Sequence, residues 1–464
     1  MKSALPEAGF GLGTNRRDFL RGAAFFGAAA AMPRAVSASG QRPLLKVAIM
    51  SDVQGYPYPE DAGMRNLERA LDVLAPFRPD IVVNDGDIND SGRDADAVAY
   101  YKSRCDARLG AIPHVACMGN HEIGFVPDDL KAVRTPAACL RDFNAVFGYG
   151  PDEWLVRRTI AGFDFVALSL SRIPGYTAEE ISRLKAALDE SVRRDPAKPI
   201  FVVTHYHPAD TVNDSSSEER GGPLRRLLDC YPQVVSISGH SHNPLQDPRS
   251  IWQGAFTAVD TSTLCYGCIT NALPSVNQVS CLIPYGHESV GCMLLDVYAD
   301  RLVFRRFTVR DRRELDPGAP WTVPWPHDPG TAPYSHGRLR AAERPPQFAG
   351  DAEPTLWYDF GYIYLMFNAA ARPESVLGYR IELAADGGPA ADYFQLSDFY
   401  RIPGHRQNRV VFKAPPGSLV PGASYRCRIY PVGFFGAEGR PAEWRFTTKP
   451  YYRPRADKLA CVQE

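Results

Sequence analysis

The sequence has no charge of one sign in excess. Lys and Arg total 52 against 53 Asp and Glu, a formal net charge of −1 with the histidines neutral. That balance offers no basic footprint, so duplex nucleic acid is not an expected partner. Cysteine is sparse, with ten in 464 residues, too dilute for a disulfide scaffold. Cys265 and Cys268 form a C-x-x-C pair, but no second pair stands at a zinc-ribbon spacing. Long apolar runs are also missing. The apolar N-terminal run, residues 22–32, is 11 residues long, short of the roughly 20 that span a bilayer, and no other stretch comes nearer. No membrane span is therefore expected in a mature chain. What the sequence does have is 45% hydrophobic residues, 40 prolines and 38 glycines: a globular chain rich in turns, long enough for two or three domains.

The first 38 residues differ in texture. Arg16-Arg17-Asp18-Phe19-Leu20 precedes an Ala/Gly-rich run, and Val36-Ser37-Ala38 supplies small residues for cleavage. This resembles a twin-arginine export signal, which implies a periplasmic or secreted protein cut after Ala38. Such a cut leaves a net charge of about −4.

From residue 43 short apolar runs alternate with amphipathic stretches. Strands are predicted at 44–50, 80–85, 114–118, 163–170, 200–204 and 233–238, and helices at 64–77, 94–109, 128–147 and 178–193. Three later strands, 255–260, 290–298 and 301–309, have no helix between them, so the order favours an α/β domain over 43–310. Residues 311–346 are Pro-rich and aperiodic, a linker or a wrapping arm. After residue 347 six short alternating strands predict an all-β sandwich over 347–450, followed by a tail at 451–464. The run from Leu419 to Ile429 resembles the later strands of a fibronectin type III module, with Tyr425 as its corner tyrosine.

Five motifs fall where strands end and loops begin, the place where α/β folds put ligands. They are Asp52-Val53-Gln54, Gly86-Asp87-Ile88-Asn89-Asp90, Gly119-Asn120-His121-Glu122, Thr204-His205-Tyr206-His207 and Gly239-His240-Ser241-His242. Together, in this order, they resemble the calcineurin-like metallophosphoesterase superfamily, whose signature runs D-x-H, G-D-x-x-D, G-N-H-E, H, G-H-x-H. Gln54 departs from it, standing where the family has histidine. In this it is similar to Mn-dependent ADP-ribose/CDP-alcohol diphosphatases, which also carry D-x-Q.

The resemblance implies a layered α/β/β/α domain, followed here by the smaller all-β sandwich, and two divalent metal ions. Asp52, Gln54, Asp87 and His242 would hold one ion; Asp87, Asn120, His205 and His240 the other, with Asp87 bridging. Amide oxygens from Gln54 and Asn120 are hard donors and favour Mn²⁺, Fe²⁺ or Mg²⁺ while admitting Zn²⁺. The first site is then the weaker. The implied reaction is hydrolysis of a phosphodiester, diphosphate or phosphomonoester of small-molecule type by a hydroxide bridging the ions. His121 would serve the leaving group as acid, with the Asp90 carboxylate setting its tautomer. Asn89 and Glu122 orient loops, His207 makes a structural hydrogen bond, and His287 has no assigned role. A glycan or surface ligand is the further partner that a module of this type suggests. A second reading, prompted by Gln54, is a weakened phosphoesterase scaffold that binds through its β-sandwich.

Overall fold

The computed structural model describes residues 41–91, 95–124, 134–212, 222–269, 281–359 and 362–450. The export-signal stretch and the tail at 451–464 lie outside the described residues.

The first part of the chain runs β1 (Leu45–Met50), α1 (Ala62–Leu74), β2 (Ile81–Asn84), α2 (Ala95–Leu109), β3 (His114–Ala116) and α3 (Pro136–Phe147). It continues through β4 (Leu155–Ile160), β5 (Phe163–Leu168), α4 (Ala178–Arg194), β6 (Ile200–Thr204), α5 (Pro223–Leu228) and β7 (Val234–Ser238). Mostly extended chain follows: β8 (Ile251–Gln253), β9 (Thr257–Asp260), β10 (Cys268–Ile269), β11 (Cys281–Leu282), β12 (Gly291–Val297) and β13 (Arg301–Thr308). Helix starts carry their signals. Thr177 and Glu180 form a reciprocal capping box at α4, and Thr135 caps α3 with Pro136 in its first turn. The helix expected at 128–147 is described from Pro136 onward.

These elements build two large sheets, with β10 and β11 as a separate antiparallel pair. In one, β12, β1, β2 and β3 are neighbours, with β1, β2 and β3 parallel. In the other the order is β4-β5-β6-β7-β9-β8, with β5, β6, β7 and β9 parallel. Parallel strands covered on both faces read as unbroken apolar runs. Ile81-Val82-Val83 and Ile200-Phe201-Val202-Val203 are such runs, and every one of these residues is buried. Val47 and Ile49 of one sheet share a single core with Val202 and Ile237 of the other. With α1 packed on β12 and α4 on β4 and β5, the layers are α/β/β/α. Each such side chain contributes about 1.5–3 kcal/mol on burial.

Residues 311–346, expected to be a linker or an arm, hold β14 (Arg313–Leu315), β15 (Trp321–Pro324) and α6 (His336–Ala342). Both strands pair with β13 and extend the first sheet. The Trp325 indole N–H donates to the Ala197 carbonyl at 2.8 Å, fastening the arm to the loop between α4 and β6.

The all-β region holds β16 (Thr355–Asp359), β17 (Tyr362–Asn368), β18 (Gly378–Ala385), β19 (Ala390–Leu396), β20 (Arg409–Lys413), β21 (Ser424–Val432) and β22 (Ala442–Thr447). A β16-β17-β20 sheet faces a β19-β18-β21-β22 sheet across one apolar core. The Tyr425 hydroxyl accepts the Val420 N–H at 2.7 Å, the bond a corner tyrosine makes.

Candidate metal centre

Every candidate ligand follows the C-terminal end of a parallel strand: Asp52 and Gln54 after β1, Asp87 after β2, Asn120 after β3, His205 after β6, His240 and His242 after β7. The chain leaves these strands abruptly. Asp52 (φ 47°), Gln54 (φ 44°), Asp87 (φ 53°), His240 (φ 69°) and His242 (φ 55°) all sit in the left-handed region, each at a cost of about 1–2 kcal/mol. Two glycines permit the close approach. A Cβ on Gly119 would fall on the Asp87 carboxylate, and one on Gly239 on Ser51 and Asp52.

The side chains meet in one network. Asp87 Oδ2 stands 3.2 Å from His205 Nε2. Asn120 Oδ1 is 2.8 Å from the same nitrogen. Donor atoms of Asp87, His205 and His240 lie within 4.8 Å of one another. On the other side Asp52 Oδ1 is 3.0 Å from His242 Nε2, yet this buried oxygen makes no hydrogen bond. A carboxylate oxygen and an imidazole nitrogen this close are a pair of ligand types that could hold a cation there.

Three imidazoles share one arrangement. Nδ1 of His205 faces the Asp85 carbonyl at 3.0 Å, that of His242 the Tyr266 carbonyl at 2.9 Å, and that of His121 the Asp90 carbonyl at 2.5 Å. A main-chain carbonyl can only accept, so each Nδ1 keeps its proton and each Nε2 turns toward the carboxylates. The Glu122 carboxylate holds the loops in register, accepting N–H groups from Asp87 (2.8 Å), Ile88 (2.6 Å), Asn89 (3.1 Å) and Gly119 (2.7 Å).

Electrostatics follow from this crowding. Burial and the Asp52 charge push Asp85 up to about 8, although the Ser51 and Thr261 hydroxyls donate to it. Burial alone would raise Asp52 and Asp87, but His242 holds Asp52 below the carboxylate range and His205 holds Asp87 well below it. Burial opposes charge on His205, yet Asp87 lifts it to about 10. Carboxylates and imidazoles crowded this closely, with Asp87, His205 and His240 at one point, are ligand types that could hold a cation.

Two details differ from expectation. Gln54 presents its amide nitrogen to the site, 3.0 Å from His121 Nε2, 3.4 Å from His242 Nε2 and 3.5 Å from Asp87 Oδ2. A half-turn about the last side-chain bond exchanges the amide's nitrogen and oxygen, so either end can face the site. Asp90 meets His121 through its main-chain carbonyl; its carboxylate lies 3.7 Å from Nδ1 and accepts the Tyr56 hydroxyl at 2.8 Å. His207 is buried, its Nδ1 2.7 Å from Ser238 Oγ. The sequence reading missed Tyr56 and Asp85. Asp85 carried a signal, an acid at the end of an apolar strand directly before Gly86-Asp87.

Residues 45–244, which contain every candidate ligand, match the family model described as calcineurin-like phosphoesterase. This segment is a calcineurin-like phosphoesterase domain, which makes the chain a phosphoric ester hydrolase. No curated protein matches it. Among solved structures it is similar to a dimetal phosphatase from Danio rerio, at 15% identity and TM-score 0.44, covering 61% of this chain and 99% of the other. It is similar also to a purple acid phosphatase from yellow lupin seeds, at 13% identity and TM-score 0.45, covering 61% of this chain and 54% of that one. A two-domain fibronectin type III segment of chicken tenascin matches at 14% identity and TM-score 0.16, covering 38% of this chain and 79% of that one.

Proposed function

We propose that the chain is an exported phosphoesterase that hydrolyses a small phosphodiester, diphosphate or phosphomonoester with two divalent cations, Mn²⁺, Fe²⁺ or Mg²⁺ before Zn²⁺. The observation that carries this reading is the shared orientation of His121, His205 and His242, whose Nδ1 atoms face main-chain carbonyls and whose Nε2 atoms face Asp52 and Asp87. Asp52, Asp87 and His242 would hold one cation, and Asp87, Asn120, His205 and His240 the other; Gln54 would join the first by turning its amide. Two such ions supply Lewis acidity toward phosphoryl oxygens and lower the pKa of water.

The chain's own groups do the rest. Asp90's carbonyl keeps a proton on His121 Nδ1, so the proton this imidazole gives to a leaving oxygen sits on Nε2. Burial opposes that charged form, but the Asp87 charge and the Asp90 carbonyl raise His121 above its ordinary pKa. The Arg16-Arg17 stretch supports export. Metal analysis of the purified chain, with turnover of nitrophenyl phosphate and bis-nitrophenyl phosphate, tests the proposal. Metal-dependent cleavage lost in Asp87→Asn and His240→Ala is expected; a metal-free chain inert toward both esters would end it.

A further inference from the structure

The all-β module reaches the candidate metal centre through a short series of direct contacts. His242 is gripped from both sides by one segment: its Nδ1 faces the Tyr266 carbonyl at 2.9 Å, and its own carbonyl accepts the Cys268 N–H at 2.9 Å. That segment is bound in turn to the stretch just before β12. The Gly267 N–H donates to the Gly286 carbonyl at 3.2 Å, and the Ile283 N–H to the Gly267 carbonyl at 3.3 Å.

The stretch at 283–288 is where the module holds on. Glu288 pairs with Arg401 at 3.0 Å, and the side chains are only 6% and 8% exposed. Glu288 also accepts the Ile402 N–H at 3.1 Å. The Arg401 guanidinium lies 4.0 Å from the centre of the Tyr285 ring, and the Tyr400 hydroxyl donates to the Pro284 carbonyl at 2.9 Å. Around these, Ile269 and Ile283 share an apolar cluster with Leu377, Phe399 and Phe434. A desolvated ion pair stabilises a contact poorly compared with apolar packing, and its attested use is to fix one register. Here the register in question is that of the strip behind His242.

We infer that the all-β module is a positioning element of the metal centre: Tyr400 and the Glu288–Arg401 pair set the 283–288 stretch, which sets 266–268, which fixes the His242 imidazole. The inference rests on His242 being a ligand. Partners that orient a ligating imidazole are worth 10–100-fold in metal affinity, and that is the effect expected here.

The test is Mn²⁺ titration of the full chain by calorimetry, with thermal unfolding and bis-nitrophenyl phosphate kinetics alongside. Arg401→Met is expected to weaken one of two Mn²⁺ sites about 10–100-fold and leave the other. At saturating Mn²⁺ its kcat returns toward the parent value with KM unchanged. Tyr400→Phe acts in the same direction but less, and carries the test if Arg401→Met does not fold. Tyr425→Phe, which loosens the module without touching 283–288, leaves both affinities unchanged. Unaltered Mn²⁺ binding in Arg401→Met and Tyr400→Phe overturns the inference, as does an equal loss in Tyr425→Phe. A parent chain that binds no Mn²⁺ overturns the metal reading itself, and this inference with it.

Discussion

His121 Nδ1 lies 2.5 Å from the main-chain carbonyl oxygen of Asp90, while the Asp90 carboxylate is held by Tyr56. The tautomer of the imidazole is thus set by backbone, which no side-chain substitution at position 90 removes. Asp90→Asn is expected to keep turnover within about tenfold of the parent, whereas His121→Ala loses the 10²–10⁴-fold typical of a proton donor. Steady-state rates of the two variants, each with its metal content measured, check this. An Asp90→Asn loss as large as that of His121→Ala would contradict it.

Glu122 gathers four N–H groups from two ligand-bearing loops. Burial and the neighbouring Asp87 charge push its carboxyl up to about 7. Glu122→Gln turns an amide donor toward at least one of those N–H groups, leaving it unsatisfied. A loss of about 2–3 kcal/mol is expected, read as a lower urea midpoint, together with weaker metal binding.

Gly119 has no room for a side chain because its Cα backs onto the Asp87 carboxylate. Gly119→Ala is expected to displace Asp87 and abolish binding of both metal ions, while far-ultraviolet dichroism stays that of the parent. Retention of two ions in this variant would show that the loop yields without cost.

His114 is buried on β3, the last strand of the first sheet, with its ring 3.3 Å from Asp106. Burial outweighs the Asp106 charge and lowers it to about 4. The unfolded chain takes up this proton near pH 6.5 and the folded chain only near 4, so stability is full above pH 6.5 and falls as the pH drops toward 4. The difference amounts to about 3 kcal/mol. His114→Gln is expected to flatten this acid limb in urea melts at pH 4.5 and pH 7; an unchanged slope would assign the limb to other groups.

Much of this site was legible because its residues stand directly after apolar strands: Ile81-Val82-Val83 leads to Asp87, and Ile200 to Thr204 leads to His205. The strand Leu155–Ile160 was not legible. It lies at a sheet edge, and Arg157 and Arg158, which break its apolar pattern, are there to pair with Asp164, Glu190 and Glu153. Ala390–Leu396 escaped for the same reason, as an exposed edge. Trp321 and Val323 alternate inward as a strand should, but the prolines beside them masked it. At the site itself, sequence names side chains. It offered Asp90's carboxylate, where the fold sets a main-chain carbonyl against the His121 ring.

The two short strands of the arm divide one strand edge between them, Arg313–Leu315 covering its Arg306–Thr308 end and Trp321–Pro324 its Arg301–Phe304 end. A chain cut after residue 310 would bare that row of donors and acceptors along most of its length. Extended segments of other molecules would then pair with it, so such a truncation is a recipe for aggregates, and the arm doubles as a guard against self-association.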